Sequence, residues 1–325
     1  MINYYKHMIF QPKTKEELRK AIEEYCENDD RSNGNINDWD VSLITDMSNL
    51  FFCCHNFFEE CNKKMHHFNQ PINNWDVLNV NDMSLMFSFC EEFNQSINNW
   101  NVSSVTNMNG MFSNCIKFNQ PVNNWNVSNV VDMSYMFYDC KEFNQPINNW
   151  NVSNVENMDC MFCGCKEFNQ PINNWNVSNV EDMNYMFCNC CVFNQPVNNW
   201  NVSNVIDMSS MFLGCNMFNQ PLNNWNISNT TCMYQMFVES NKKHKEQFYM
   251  LNIEKKNKYA LNELLRDMTI IKIYCMIKDK EFIMNNIDNN RKNEIQNFIK
   301  NKTKDICKSC YLQMDCVNNI CMLCS

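Results

Sequence analysis

Apolar and polar positions follow one fixed order along the middle of the chain, and that order recurs every 25 residues. The text FNQPINNWNVSNV returns with small changes, and each copy continues into M-x-x-M-F-x-x-C. A period of this length predicts a stacked solenoid, in which a unit buries its apolar face only against its neighbours. The eight tryptophans all mark the same position in successive copies: Trp39, Trp75, Trp100, Trp125, Trp150, Trp175, Trp200 and Trp225.

Residues 143–167 show how one copy is built. Pro146 disfavours a helix before it, so we expect a short strand within 145–151. The second part has apolar residues at the i, i+3 and i+7 spacing of a helix, namely Val155, Met158 and Phe162. Ser153, followed three residues later by Glu156, fits a capping box, so we expect a short helix from about Asn154. The predicted fold class is therefore an α/β solenoid whose repeats each contain a short strand and a short helix.

Stacking should place like residues above like, with parallel strands roughly 4.8 Å apart. The expected core consists of one set of apolar residues per copy: Phe143, Ile147, Val152, Val155, Met158, Met161, Phe162 and their equivalents. Asparagine and glutamine also recur at fixed positions, as at Asn144, Gln145 and Asn154. We favour turn formation and hydrogen bonding along the array as their role over ligand recognition.

The residues before the repeats predict a helix over 12–26. Thr14 and Glu17 have the spacing of a capping box. Four apolar residues make one helical stripe: Leu18, Ala21, Ile22 and Tyr25. Because a solenoid has an open end that must be covered, we interpret this segment as a capping helix.

Composition divides the chain into five regions. Residues after the repeats are first polar and rich in lysine, then helical in pattern, and finally rich in cysteine. The predicted regions are a capping segment over 1–35, a repeat solenoid over 36–240, a linker over 241–256, a helical region over 257–306 and a Cys-rich tail over 307–325.

The pattern F-N-x-x-I-x-x-W-x-V-S-x-V-x-x-M-x-x-M-F-x-x-C, over about residues 36–237, resembles the BspA-like leucine-rich repeat in its DUF285 form. The segment FQPKTKEELRKAIEEY, leading into GNINDWDVS, resembles the opening of such proteins. The resemblance implies a leucine-rich-repeat-like solenoid. Members of the family occur on the surfaces of bacteria and mycoplasmas, in protists and in giant DNA viruses, and many are called surface or adhesion proteins.

Charge and targeting signals restrict the partners. The net charge is −9, which disfavours nucleic acid and anionic membranes. From Lys242 to Lys308 there are 16 Lys and Arg and 9 Asp and Glu, so this part carries +7 and the remainder −16. Neither a signal peptide nor an 18-residue apolar run is visible, so we expect no membrane span and an intracellular location, in host cytoplasm or a virion. The Asn- and Lys-rich, Gly-poor composition indicates an AT-rich coding sequence, which fits a giant virus or a protist.

The 21 cysteines mostly reflect duplication. One column contains Cys90, Cys115, Cys140, Cys165, Cys190 and Cys215. Each of these thiols would have two equivalent neighbours, so no unique pairing is specified, and we expect buried free thiols. Cys163 and Cys188 form a second, partial column, and Cys160 is one of a few isolated extras. No base accompanies them at a fixed position to make a nucleophile.

The last 19 residues contain two C-x-x-C pairs, Cys307/Cys310 and Cys321/Cys324, separated by ten residues that include Cys316. Two such pairs can hold Zn²⁺ tetrahedrally and would stabilise a segment too small to fold alone. Their separation is shorter than is usual for zinc, so disulfides and free thiols are the alternatives. A second group has no recognised metal spacing and fits an ordinary loop better: Cys53, Cys54, His55, Cys61, His66 and His67.

These observations favour a non-catalytic scaffold that binds a protein partner through its repeat surface. The alternative is a surface or virion-associated structural or adhesion protein that contacts a host cell. We do not expect an enzyme, because no phosphate-binding loop, nucleophile elbow or consistent carboxylate pair is present. No catalytic or cofactor-binding residue is therefore predicted, and zinc in the tail is the one cofactor considered.

The zinc hypothesis predicts that native mass spectrometry of freshly purified, reduced protein will detect one bound zinc ion. Replacing Cys307 and Cys321 with serine should remove it, because each pair would lose one of its two thiolates. Metal-free wild-type protein would contradict the hypothesis.

Overall fold

A computed structural model describes residues 9–52, 65–227 and 231–241, together with positions 248, 249, 252, 255, 258, 261, 285, 289, 290, 292 and 293. The predicted Cys-rich tail over 307–325 and most of the predicted helical region over 257–306 lie outside the described residues.

Helix α1 spans Lys15–Glu27 and is the first element of the chain. The Thr14 hydroxyl accepts a hydrogen bond from the Glu17 backbone N–H at 3.2 Å. The Glu17 carboxylate returns to the N–H of Lys13 at 2.7 Å, one residue before the cap. The predicted apolar stripe is buried, at Leu18, Ala21, Ile22 and Tyr25. The predicted helix and its capping residue are thus confirmed.

Polar side chains of α1 contact the first repeat. Lys15 forms an ion pair with Asp46 at 3.0 Å. Arg19 donates to the carbonyl oxygens of Asn49 and Phe52. In later copies the carbonyl equivalent to that of Phe52 accepts a hydrogen bond from the preceding copy, as between Phe89 N and Ser113 O at 2.8 Å. Arg19 therefore supplies a donor where no earlier repeat exists.

Two short 3₁₀ helices follow α1: Ile36–Asp38 lies directly before Trp39, and Met65–His67 lies directly before Phe68. Within the later copies the chain turns repeatedly, and each turn is closed by a bond from a backbone N–H to the carbonyl three residues earlier. In the copy around Trp150 four such bonds join two core residues: Trp150 to Ile147 (3.2 Å), Val155 to Val152 (3.0 Å), Met161 to Met158 (3.2 Å) and Cys165 to Phe162 (2.9 Å).

These turns differ from the predicted strand over 145–151 and the predicted helix from Asn154. A spacing of three between apolar residues is shared by a helix and by a chain of turns that returns to the core every third residue. Cys160 has φ 54° and Gly164 has φ 79°, whereas an α-helix needs φ near −63°. These left-handed residues lie in the turns closed by Met161 and Cys165, and they prevent the helix.

The predicted capping box at Ser153 and Glu156 is also a turn. The Asn151 side-chain oxygen accepts from the Ser153 N–H at 3.2 Å, so asparagine organises this bend. A second Asx turn follows, in which the Asn157 side-chain oxygen accepts from the Asp159 N–H at 2.9 Å.

Consecutive copies are joined by parallel backbone hydrogen bonds in register. One position forms a parallel bridge in every copy, running through Asp46, Asp82, Asn107, Asp132, Asn157, Asp182, Asp207 and Cys232. Further bonds follow at every second residue, from Met158 N to Asp182 O (2.9 Å), Cys160 N to Asn184 O (2.8 Å), Phe162 N to Met186 O (2.9 Å) and Gly164 N to Cys188 O (2.7 Å). From Asp82 onward this register places each residue against its equivalent 25 positions on, and the first step, from Asp46 to Asp82, spans 36 positions.

Aromatic rings fill the space between copies. The Phe162 ring lies 5.7 Å from those of Phe137 and Phe187, and 4.2 Å from that of Phe168. The three contacts have interplanar angles of 8°, 5° and 7°, so the rings are nearly parallel. The predicted core residues are buried, which confirms that part of the sequence analysis.

The tryptophans stack as a separate column within this core. Trp150 lies 6.5 Å from both Trp125 and Trp175, with interplanar angles of 2° and 3°. Its indole N–H donates to the Val122 carbonyl at 3.1 Å, so the ring also bonds to the preceding copy. Tryptophan thus contributes both packing and a buried polar contact at each step.

Aromatic residues also cover the last copy. Phe248 and Tyr249 are helical and buried, with rings 5.0 and 5.8 Å from that of Phe237. Lys255 donates to the Trp225 carbonyl at 3.0 Å. At these positions the segment predicted as a linker, 241–256, differs from the expectation and packs against the repeats. Within the described part of the chain, no helix is both long and apolar enough to cross a membrane.

Replacing Phe162 with alanine should destabilise the protein by about 3–5 kcal/mol, because it leaves a cavity between three stacked rings. Urea unfolding followed by tryptophan fluorescence will measure the loss. Phe162→Leu should cost less, and Pro146→Ser, a change that copies the natural Ser96, should cost little. Equal stability of Phe162→Ala and Pro146→Ser would contradict this account of the core.

Candidate functional site

The amide side chains that recur at fixed positions of the repeat form hydrogen bonds between consecutive copies. The Asn119 side-chain oxygen accepts from the Asn144 N–H at 3.0 Å. The Gln145 amide donates to the Asn119 carbonyl at 2.9 Å, and the Asn154 amide donates to the Ser128 carbonyl at 2.7 Å. The interpretation of these residues as turn and ladder formers is therefore confirmed. Because their polar groups already bond within the chain, they are poor candidates for binding a ligand.

Variation between copies is concentrated in one half of the repeat. We call the stretch equivalent to 143–155 the constant half and the stretch equivalent to 156–167 the variable half. Core residues recur within the variable half, but the positions between them change from copy to copy. At the tenth residue after each Trp, for example, successive copies have Leu85, Gly110, Tyr135, Cys160, Tyr185 and Ser210.

Exposed hydrophobic residues follow the same division. Seven of the ten large hydrophobic residues that are exposed in the described chain belong to the variable half: Val131, Tyr135, Tyr185, Val192, Ile206, Met217 and Tyr234. Exposed apolar and aromatic side chains are typical of binding surfaces, particularly when they include tyrosine. The variable half is consequently the candidate interaction surface.

Large and small residues alternate at the tenth position after Trp. A Cβ atom at Gly110 would lie 2.6 Å from Cδ2 of Leu85, so the leucine leans over the glycine of the next copy. The Tyr135 hydroxyl lies beside the Cys160 thiol, likewise one copy further on, and beside Asp159. The Cys160 contact is the main cause of a raised pKa at Tyr135. A large side chain thus covers a small one in the following copy.

Three thiols meet beside this tyrosine, and we call Cys160, Cys163 and Cys188 the thiol cluster. The Cys163 thiol lies beside the thiols of both Cys160 and Cys188. These contacts raise the pKa of Cys163, while the hydrogen bond from Cys163 lowers the pKa of Cys188. The cluster lies in the variable half of two consecutive copies, outside the main cysteine column.

The main cysteine column belongs to the core. All six of its cysteines are free and fully buried, as predicted. The Cys165 thiol donates to the Phe137 carbonyl at 2.9 Å, and the Cys190 thiol donates to the Phe162 carbonyl at 2.9 Å. Burial raises the pKa of both thiols well above its usual value. Their role is packing and carbonyl hydrogen bonding rather than nucleophilic chemistry.

Carboxylates line the bridging position of the stack. Asp182 follows Asn157 and precedes Asp207 in the series of parallel bridges. Burial raises the pKa of Asp182, and the negative charges of Asp159 and Asp207 raise it further. Its side-chain oxygen accepts from the Asn184 N–H at 2.8 Å. Half-burial beside like charges makes this carboxylate costly to ionise.

The predicted zinc ligands Cys307, Cys310, Cys321 and Cys324 lie outside the described residues. Of the second Cys/His group, within 53–67, the structure describes His66 and His67. The Nδ1 atom of His66 lies 2.8 Å from the Phe89 carbonyl oxygen. Among the described residues, no group of three or more His, Cys, Asp or Glu could hold a metal ion.

Sequence reasoning identified Cys163 and Cys188 as a partial column but did not find the contact with Cys160. The signal was the recurrence of cysteine at the thirteenth residue after two consecutive tryptophans, Trp150 and Trp175. The contact with Cys160 depends on the turn between residues 160 and 163, which the predicted helix obscured.

A family model described as "Mycoplasma protein of unknown function, DUF285" matches residues 20–63, 53–166 and 144–249. Together the three matches span most of the chain, and their succession follows the repeats. No curated protein and no solved structure matches the chain.

Asp182→Asn should raise the melting temperature at pH 7. The pKa of Asp182 in the folded protein lies above the ordinary value of 3.8, so the protein loses stability as the pH rises through that folded-state pKa. Asparagine cannot ionise, so the variant avoids this loss. Its side-chain oxygen can still accept the hydrogen bond from the Asn184 N–H, just as the Asn107 side-chain oxygen accepts from the Asn109 N–H at 3.0 Å. The difference between variant and wild type should shrink below pH 3.8, where the aspartate is protonated in both states.

Thermal unfolding from pH 3 to 8 will test this, with Asp132→Asn as the control. Asp132 lies between Asn107 and Asn157 and has no acidic neighbour at the bridging position, so its replacement should gain less. A pH-independent difference between Asp182→Asn and wild type would contradict the electrostatic cause.

Proposed function

The chain belongs to the DUF285 family, whose function is unknown, and we propose that it is a non-catalytic repeat scaffold that binds a protein partner. The observation that carries this proposal is the concentration of exposed hydrophobic residues in the variable half of the copies. The constant half keeps neighbouring copies in register through its amides, while the variable half offers different side chains at equivalent places.

The proposal includes the architecture. We propose that the copies form a leucine-rich-repeat-like solenoid of the BspA-like type, built from turns and parallel bridges. Support comes from the unbroken series of parallel bridges from Asp46 to Cys232 and from the stacked phenylalanines between them. The contacts of Arg19 at one end and of Phe248 at the other support capping of both ends.

Tyrosine is the most suitable anchor on this surface. Tyr135, Tyr185 and Tyr234 expose 39%, 37% and 47% of their surface. A tyrosine ring buries a large area on binding at a small cost in side-chain entropy, and its hydroxyl retains a hydrogen bond. Neighbouring Val131 and Ile206 add apolar area in the same halves. A protein surface with complementary apolar pockets is the partner that this chemistry fits.

The second candidate is a surface or virion-associated adhesion protein. It is favoured by the resemblance of the repeats to surface proteins of bacteria, protists and giant viruses, and a giant-virus source fits the composition. In that case the same variable half would contact a host cell. We propose the intracellular scaffold, in host cytoplasm or a virion, as the leading function.

We predict that replacing Tyr135, Tyr185 and Tyr234 together with serine will abolish partner capture by the full-length chain. Each tyrosine that acts as a binding hot spot contributes about 2 kcal/mol or more. Serine occurs naturally at equivalent positions, at Ser210 and Ser209, so the fold should persist. Affinity capture from lysate of the native host cell, with quantitative mass spectrometry, will measure the loss.

The matched control is a triple variant of the constant half in which Pro121, Pro146 and Pro171 become serine, as at the natural Ser96. It should capture the same partners as the wild type. Capture that survives the tyrosine changes but is lost when residues 257–325 are removed would assign binding to the tail and contradict the proposal. Tyrosine-dependent binding of the chain to intact host cells would favour the adhesion candidate.

A further inference from the structure

Cys163 is the central thiol of the thiol cluster and lies in reach of two others. Cys160 lies in the same turn and Cys188 in the next copy, and both of these thiols raise the pKa of Cys163. Cys160 and Cys188 are 6% and 4% exposed, whereas Cys163 is half-buried. A small solute can therefore reach the cluster from the surface at Cys163.

Cys163 and Cys188 occupy equivalent positions in consecutive copies. The Gly164 N–H donates to the Cys188 carbonyl at 2.7 Å, so the two backbones are neighbours in the parallel ladder. Parallel neighbours lie roughly 4.8 Å apart. Disulfides join residues whose Cα atoms are about 4.4–6.8 Å apart. The ladder therefore already provides the separation that a disulfide between these residues requires.

The pairing of Cys163 with Cys188 along their column is unique. The equivalent residue is Tyr138 in the preceding copy and Leu213 in the following copy. In the core column, by contrast, Cys165 has a cysteine both before and after it. The variable half thus isolates one pair of thiols, which the core column does not.

The two groups of thiols also differ in reactivity. The hydrogen bond from Cys163 lowers the pKa of Cys188 and so favours a thiolate there. The thiols of Cys165 and Cys190 donate to buried carbonyls, and burial raises the pKa of each. Oxidation should therefore prefer the thiol cluster over the core.

We propose that Cys163 and Cys188 are an oxidation site at which a peroxide links adjacent copies through a disulfide. The Cys188 thiolate attacks one oxygen of hydrogen peroxide, the O–O bond breaks, and the other oxygen leaves as hydroxide and takes up a proton to become water. The Cys163 sulfur then attacks the sulfenic sulfur of Cys188, the S–O bond breaks, and the departing hydroxide takes the proton of the Cys163 thiol to form a second water. Two thiols are oxidised to one disulfide while one peroxide is reduced to two waters.

The chain offers a direct test by peptide mapping. Lys166 is the only Lys or Arg between residues 142 and 241, so trypsin separates Cys163, in peptide 142–166, from Cys188, in peptide 167–242. The reduced, full-length protein is treated with hydrogen peroxide, its remaining thiols are alkylated, and it is digested without reduction. We expect the two peptides to appear linked, with fragment ions that place the bond at Cys163 and Cys188.

Serine variants provide the controls. Cys163→Ser and Cys188→Ser should each lose the linked pair, and both should fold, because Ser88 and Ser113 are natural at the same position. Cys165→Ser and Cys160→Ser should retain the linked pair. Absence of the pair in oxidised wild-type protein, its persistence in Cys163→Ser, or a bond between Cys160 and Cys163 within peptide 142–166 instead would overturn the proposal.

Discussion

The parallel hydrogen bonds between consecutive copies are the constraint on which the rest depends. Because Met158 N reaches Asp182 O and Phe162 N reaches Met186 O, every residue is aligned with its equivalent. Alignment lets Phe162 lie between Phe137 and Phe187 and lets Trp150 stack on Trp175. A shift of one residue would place polar positions against the phenylalanine column, so the aromatic core and the backbone ladder reinforce the same register.

The same ladder accommodates unfavourable backbone conformations. Tyr135, Cys160 and Tyr185 have positive φ, at 57°, 54° and 51°, which for residues with a side chain costs roughly 1–2 kcal/mol each. Each of these residues lies in a turn that returns the chain to the core, as Cys160 does between Met158 and Met161. Hydrogen bonds to both neighbouring copies hold each turn in place. These bonds and the packing of the core offset the cost of the positive φ values. The helix predicted from apolar spacing does not form because these turns satisfy the same spacing with a different backbone.

Much of the fold could be predicted from the sequence because duplication makes its signal redundant. The period, the core residues, the N-terminal helix with its Thr14 cap and the buried free thiols all follow from positions that repeat or from a standard cap. The turns could not be predicted, since the left-handed residues vary from tyrosine to glycine and share no side-chain signal. Phe248 and Tyr249 were missed because the surrounding lysines resemble a linker. The thiol cluster was missed because it depends on which columns a turn brings together.

Division of each copy into two halves separates folding from surface chemistry. The constant half supplies the amides, such as Gln145 and Asn154, that bond to the preceding copy. In the variable half the ladder is made by backbone atoms, so the side chains between core residues can change without breaking it. Alternation of large and small residues, as in Tyr135 over Cys160, is a restriction that neighbouring copies impose on each other there. A duplicated chain can thus acquire different side chains at equivalent places while every copy keeps the same backbone, and this freedom is what a binding surface built from repeats requires.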